Sequence, residues 1–131
     1  MDYYFSTQLK NIRFDEAILK TTEALKEEGF GVLTEIDMKA TLKKKLDVDF
    51  HNYMILGACN PPIAYQALQS EDKIGTMLPC NVIVQERELG IIEIAAVDPA
   101  ASMQAVKNDS LIGVAETVRD KLKRVIANLG L

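Results

Sequence analysis

Tyr53-Met54-Ile55-Leu56-Gly57-Ala58-Cys59-Asn60-Pro61-Pro62-Ile63-Ala64-Tyr65-Gln66-Ala67-Leu68 changes character at its middle. Residues 53–58 contain no polar alternation, the pattern of a strand buried on both faces or covered by a partner subunit. Asn60 is a good helix N-cap, and Pro61 and Pro62 suit a first turn, where amide hydrogens lack helical partners. Ile63, Ala64, Ala67 and Leu68 then share one side of a helix running to about residue 69. A strand, a cap and a helix follow one another without a linker.

Before this junction, residues 3–9 carry aromatic and β-branched types that fit a strand. Phe14, Ala17, Ile18, Thr21 and Leu25 trace a helical stripe over residues 14–28, and Gly29 stands where a left-handed residue ends a helix. Residues 30–36 alternate as a strand. Met38, Leu42 and Leu46 define a short helix whose other sides carry Lys39, Lys43, Lys44 and Lys45. Asp47 and Asp49 follow at once, so these lysines read as a solvated face with a blunted field.

After the junction, residues 70–79 form a connector, and 80–86 and 90–97 read as an antiparallel hairpin about the turn 87–89. Asp98-Pro99 repeats the cap-and-proline signal and opens a short helix to about Val106. Asn108-Asp109-Ser110 offers another cap, and a stripe from Leu111 to Leu129 marks a long closing helix. Gly113 inside it costs about 1 kcal/mol relative to Ala, which close packing against the sheet would explain. The expected fold is α+β: a curved, mostly antiparallel sheet of about five strands with helices packed on one face.

The 131 residues fit a single domain, 1–131, with a composition of 48% hydrophobic and 26% charged residues that is ordinary for a soluble globular protein. A net charge of −4 without an extended basic face argues against nucleic-acid binding. No apolar run approaches the roughly 18 residues of a membrane span, so no membrane partner is expected. The N-terminus lacks the pattern of a signal peptide, and a cytoplasmic location is expected. Two cysteines in that setting argue against a structural disulfide framework, and any bond between them would be a redox switch.

Cys59 is the leading reactive candidate. A thiol just before a helix start lies near partial positive charge, which favours thiolate and attracts anions, although Pro61 and Pro62 each remove an amide donor. The bland alternative is a small hydrophobe at a strand end. Cys80-Asn81 repeats the pair Cys59-Asn60; if the two strands are neighbours, both thiols and both amides would meet in one polar patch. His51 with Asp47 or Asp49 is a weak metal set, and Glu35 with Asp37 is a carboxylate pair at a strand end. No complete catalytic, metal or cofactor constellation emerges.

The run Leu56-Gly57-Ala58-Cys59-Asn60-Pro61-Pro62, then Ala64-Tyr65, Ala67-Leu68, Gly75, Leu78-Pro79-Cys80-Asn81-Val82 and Asp98-Pro99 resembles the prokaryotic family called domain of unknown function 302. Phe14-Asp15-Glu16, Gly29-Phe30 and Thr34-Glu35-Ile36-Asp37 extend the resemblance over nearly the whole chain. It implies a β-α-β4-α core with a TATA-binding-protein-like arrangement, and a homodimer. It implies no activity, and a fold likeness is no licence to infer DNA binding.

Three functions are therefore carried forward. The first is a small-ligand-binding or redox-responsive module whose site is Cys59, Asn60, Pro61, Cys80 and Asn81, taking a small anionic or thiol-reactive ligand. The second is a thiol-dependent enzyme with Cys59 as nucleophile, and the third is a structural homodimeric subunit with no small-molecule site.

Overall fold

A computed structural model describes residues 2–130. Five strands, β1 (Tyr4–Lys10), β2 (Gly31–Asp37), β3 (Asn52–Cys59), β4 (Cys80–Glu88) and β5 (Ile91–Val97), form one antiparallel sheet in the order β1-β5-β4-β3-β2. The first two strands of the chain thus become its two edges. They are joined by α1 (Phe14–Glu27), which crosses beneath the sheet beside the closing helix α5 (Ile112–Leu129). The expected α+β class, strand number and one-sided helical layer are all present.

The core lies between those helices and the sheet. Ala17, Thr21 and Leu25 of α1 and Val118, Leu122 and Val125 of α5 are buried against Leu56, Val82, Val84, Ile92 and Ile94. Thr21 is fully buried because its hydroxyl donates to the Ala17 carbonyl at 2.7 Å, which satisfies the polar atom within the helix. Helix α1 ends as its glycine demands. Gly29 takes φ +87°, its amide donates to Lys26 O, and the Phe30 amide donates back to Leu25 O.

Helix α2 (Met38–Leu46) contributes no buried residue. Its N-cap is Asp37, whose side chain accepts from the Ala40 amide at 2.9 Å, so this carboxylate is engaged in capping and not in a pair with Glu35. Lys43 pairs with Asp47 at 2.9 Å and with Asp49 at 3.5 Å, both exposed. Helix α3 (Pro61–Ser70) leads into a 3₁₀ segment, Asp72–Met77, which organises the connector and seats Ile74 with Ala67, Leu111 and Val114 in a second buried cluster.

Several sequence expectations shift. The hairpin turn lies at Leu89-Gly90, with Gly90 at φ +86°, so Gly90 belongs to the turn and β5 begins at Ile91. Helix α4 is only Pro99–Ser102; Asp98 caps it through Ala100 N at 3.0 Å. A 3₁₀ turn, Asp109–Leu111, precedes α5. Gly113 has open space around it: a Cβ there meets nothing within 4 Å, so close packing does not explain this glycine. The close approach is at Gly57 instead, where a Cβ would collide with the Thr34 hydroxyl and come within 2.8 Å of Pro79 Cγ. No helix among the described residues is long and apolar enough to cross a membrane.

Candidate functional site

Strand alternation separates the two Cys-Asn motifs by face. Cys80 leads the buried series Cys80, Val82, Val84 and points into the helical layer, while Asn81 is exposed on the opposite side of the sheet. In register Ala58 pairs with Cys80 and Gly31 with Cys59, so the ends of β3 and β4 are neighbours, which is the condition for the two Cys-Asn pairs to meet. Both cysteines are free. Cys59, half-buried, and Cys80, buried, line one small hollow with Asn60, Leu78, Pro79 and Val118.

That hollow measures about 30 Å³ and is almost wholly apolar. Burial pushes the Cys80 thiol up to about 11, with the neighbouring Cys59 adding to the rise. Asn60 occupies the N-cap position of α3, yet its side chain does not cap. Its Nδ2 donates to the Glu28 carbonyl at 3.3 Å, tying the start of α3 to the end of α1. Pro61 fills the first position of that helix. Cys59, Asn60 and Cys80 thus meet in one place, Pro61 shapes the helix entry beside them, and Asn81 lies elsewhere.

Asn81 belongs to a wider depression on the open face of the sheet, about 430 Å³ in volume. The register builds this face in rows. Ser6, Ala95, Ile83, Ile55 and Ile36 stand in line across all five strands, giving an apolar stripe, and Gln8, Glu93, Gln85 and Tyr53 form the next row. Antiparallel sheets usually turn polar side chains to solvent when one face is packed. Here the outward row is apolar at its centre.

Tyr3, Tyr4 and Tyr53 wall the depression. The Tyr3 and Tyr4 rings meet edge to face, centroids 5.1 Å apart and planes at 73°, and the Tyr3 carbonyl accepts from the Asp98 amide at 2.7 Å. A hydrogen-bonded chain runs along the row of Tyr53, Gln85 and Glu93. Gln85 Nε2 donates to Glu93 Oε1 at 2.8 Å, and Gln85 Oε1 lies 2.9 Å from His51 Nε2. The Tyr53 phenol is pushed up, first by burial and then by the Glu93 charge and Tyr3. His51 therefore serves this chain, whereas Asp47 and Asp49 face Lys43. Among the described residues no group of three or more metal-ligating side chains converges.

Sequence reading passed over Glu93, Gln85 and the tyrosine corner. One signal was present: Glu93 is the single charged residue in the otherwise apolar strand Ile91-Ile92-Glu93-Ile94-Ala95-Ala96-Val97. Its meaning depends on partners from β4, which spacing alone does not supply.

A family model described as domain of unknown function DUF302 matches residues 5–129. Among solved structures, the crystal structure of an uncharacterised conserved DUF302 protein from Bacillus stearothermophilus is similar, with a TM-score of 0.88 and 26% sequence identity. The alignment covers 98% of this chain and 99% of that one. No curated protein matches.

Proposed function

The chain belongs to the family described as domain of unknown function DUF302, and on that footing we propose that it is a small-molecule-binding module whose site is the tyrosine-lined depression on the open sheet face. The observation that carries this reading is the depression itself. Its volume of about 430 Å³ falls within the roughly 300–1,000 Å³ of ordinary ligand sites. Its lining combines apolar and aromatic surface with a few polar groups, Asn81, Gln85 and Glu93. The hollow between the thiols, about 30 Å³, has room for about two waters, and a buried thiol held neutral at ordinary pH is a poor nucleophile. In this reading Cys59, Asn60, Pro61 and Cys80 seat β3 and β4 against α3, and Asn81 alone of the five faces ligand.

The test is a titration of the labelled protein with small aromatic and aliphatic fragments, followed by NMR. Shifts should map to Tyr53, Asn81, Ile83 and Ala95, and Ala95→Leu, which adds bulk to the floor of the depression, should remove them. Shifts confined to Cys59 and Ala67 would return the site to the thiols, and the absence of any fragment binding would end the proposal.

The row Ile36, Ile55, Ile83 and Ala95 favours a second reading that is compatible with the first: two copies meet through this face, covering the apolar stripe and closing the depression between them. Ile36 is 45% exposed and continues the half-buried Ile55 and Ile83 across the open face, and contiguous apolar surface of this kind marks a contact face. Sedimentation equilibrium should give a dimer for the natural chain and a monomer for Ile55→Glu. A natural chain that stays monomeric at high concentration removes this reading. We propose a cytoplasmic location as well, which suits a chain with two free thiols.

A further inference from the structure

Glu93 brings a carboxylate to the depression. Among the described residues, no Lys, Arg or His nitrogen lies within ion-pairing distance of it. Arg87 lines the adjoining hollow together with Glu93 but makes no ion pair with it. One carboxylate oxygen accepts from Gln85, a neutral donor that orients the group without neutralising it. A half-buried carboxylate in that position attracts a cation.

The surrounding walls select which kind. Tyr3 and Tyr4 set two rings at 73° to one another, and Tyr53 lines the same space. Ring faces carry the negative part of the aromatic quadrupole, and three tyrosines lining one space with a carboxylate supply the chemistry that favours an alkylated ammonium group. A bare metal ion needs several oxygen or nitrogen ligands, and among the described residues Glu93 is the one carboxylate lining the depression. An anion would meet the Glu93 charge within the same depression. The field acting on Tyr53 has the same sense: besides burial, the Glu93 charge raises its phenol, and a field that disfavours phenolate favours a cation.

We propose that the depression binds a small organic cation, an ammonium group held between the Tyr3–Tyr4 corner and Tyr53 with Glu93 as its counter-charge. This rests on the reading of the depression as a ligand site and adds the chemical class of the ligand. The apolar floor of Ile83, Ala95 and Val97 suits methyl groups on the nitrogen or a short carbon tail.

Choline and its neutral isostere 3,3-dimethylbutan-1-ol separate charge from shape. Each is titrated into the natural chain, Glu93→Gln and Tyr53→Leu, with tyrosine ring signals followed by NMR and folding checked by circular dichroism. Choline should bind the natural chain at least tenfold more tightly than the alcohol, Glu93→Gln should erase that preference, and Tyr53→Leu should weaken choline binding severalfold. Equal binding of the two probes, or a preference that survives Glu93→Gln, overturns the cation inference and leaves the depression standing as a ligand site. Failure of choline to bind also overturns it, and the fragment titration then decides separately whether the depression binds anything. The comparison of the two probes on the natural chain holds even if a variant fails to fold.

Discussion

Gln85 donates through Nε2 to Glu93 Oε1 at 2.8 Å, and that bond fixes which way its amide is turned. The amide oxygen is left to accept, so the hydrogen shared with His51 at 2.9 Å belongs to His51 Nε2. An acidic side chain on β5 thereby sets the tautomer of an imidazole beyond β4. Long-range nitrogen-proton NMR should show His51 predominantly as the Nε2–H form when neutral. Gln85→Leu removes both bonds and should raise the share of the Nδ1–H form to that of an unconstrained imidazole, in which Nε2–H is only the major tautomer. An unchanged tautomer in that variant would mean another group orients the ring.

This chain of bonds also marks where sequence reading stops. The elements were legible because their signals are local: Gly29 after a helical stripe, proline after Asn60 and after Asp98, and an apolar run for β3. The repeated Cys-Asn pair raised the neighbouring of β3 and β4 only as a condition, which the register meets. The open-face site is built by register between strands, with His51 and Gln85 34 positions apart. Asn60 shows the same limit in one side chain. Its residue type and position both indicate a cap, but a carbonyl 32 residues away, Glu28 O, takes the amide instead. Alternation gives each strand two faces without saying which face of one strand shares a surface with which face of the next.

Gly57 and Gly113 should respond to alanine in opposite directions. A Cβ at Gly57 meets the Thr34 hydroxyl and Pro79 from two sides, so Gly57→Ala forces β2 or the Pro79 loop to move and should cost about 1–3 kcal/mol. At Gly113 the space is open and the backbone helical, and Ala should stabilise by about 0.4–1 kcal/mol through a less flexible unfolded chain. Urea unfolding of the two variants measures both. Equal effects would refute the assignment of the close approach to Gly57.

Asp98 is nearly fully buried and reaches Arg119 Nε at 3.3 Å while accepting from Ala100 N at 3.0 Å. Arg119 also lies over the Phe5 ring, 5.4 Å from its centroid. Arg119→Leu leaves the carboxylate with its backbone donor alone and should destabilise by about 2 kcal/mol, since a charged hydrogen bond is lost and a buried charge remains. Asp98→Asn keeps an acceptor for Ala100 N without the unpaired charge. Added to Arg119→Leu, it should recover part of the loss, which a double-mutant cycle by chemical unfolding would show.

Cys80 should make the fold sensitive to alkali. Burial first, and Cys59 second, raise its thiol from 9.0 to about 11 in the folded chain. The unfolded chain therefore releases this proton at lower pH than the folded chain does, and between those values the folded state binds more protons. Its contribution is fully present below about pH 9 and is lost as pH rises toward about 11, on the order of 2–3 kcal/mol in all. Other groups titrate in the same window, so the informative quantity is the stability of the natural chain minus that of Cys80→Ala at each pH. That difference should fall across the window and level off above it. Alkylation gives an independent measure: half-buried Cys59 should label first, and native Cys80 should gain about tenfold in rate per pH unit up to its raised value. Labelling of Cys80 that is already fast and pH-independent at pH 8 would place the thiol outside the apolar layer assigned to it here.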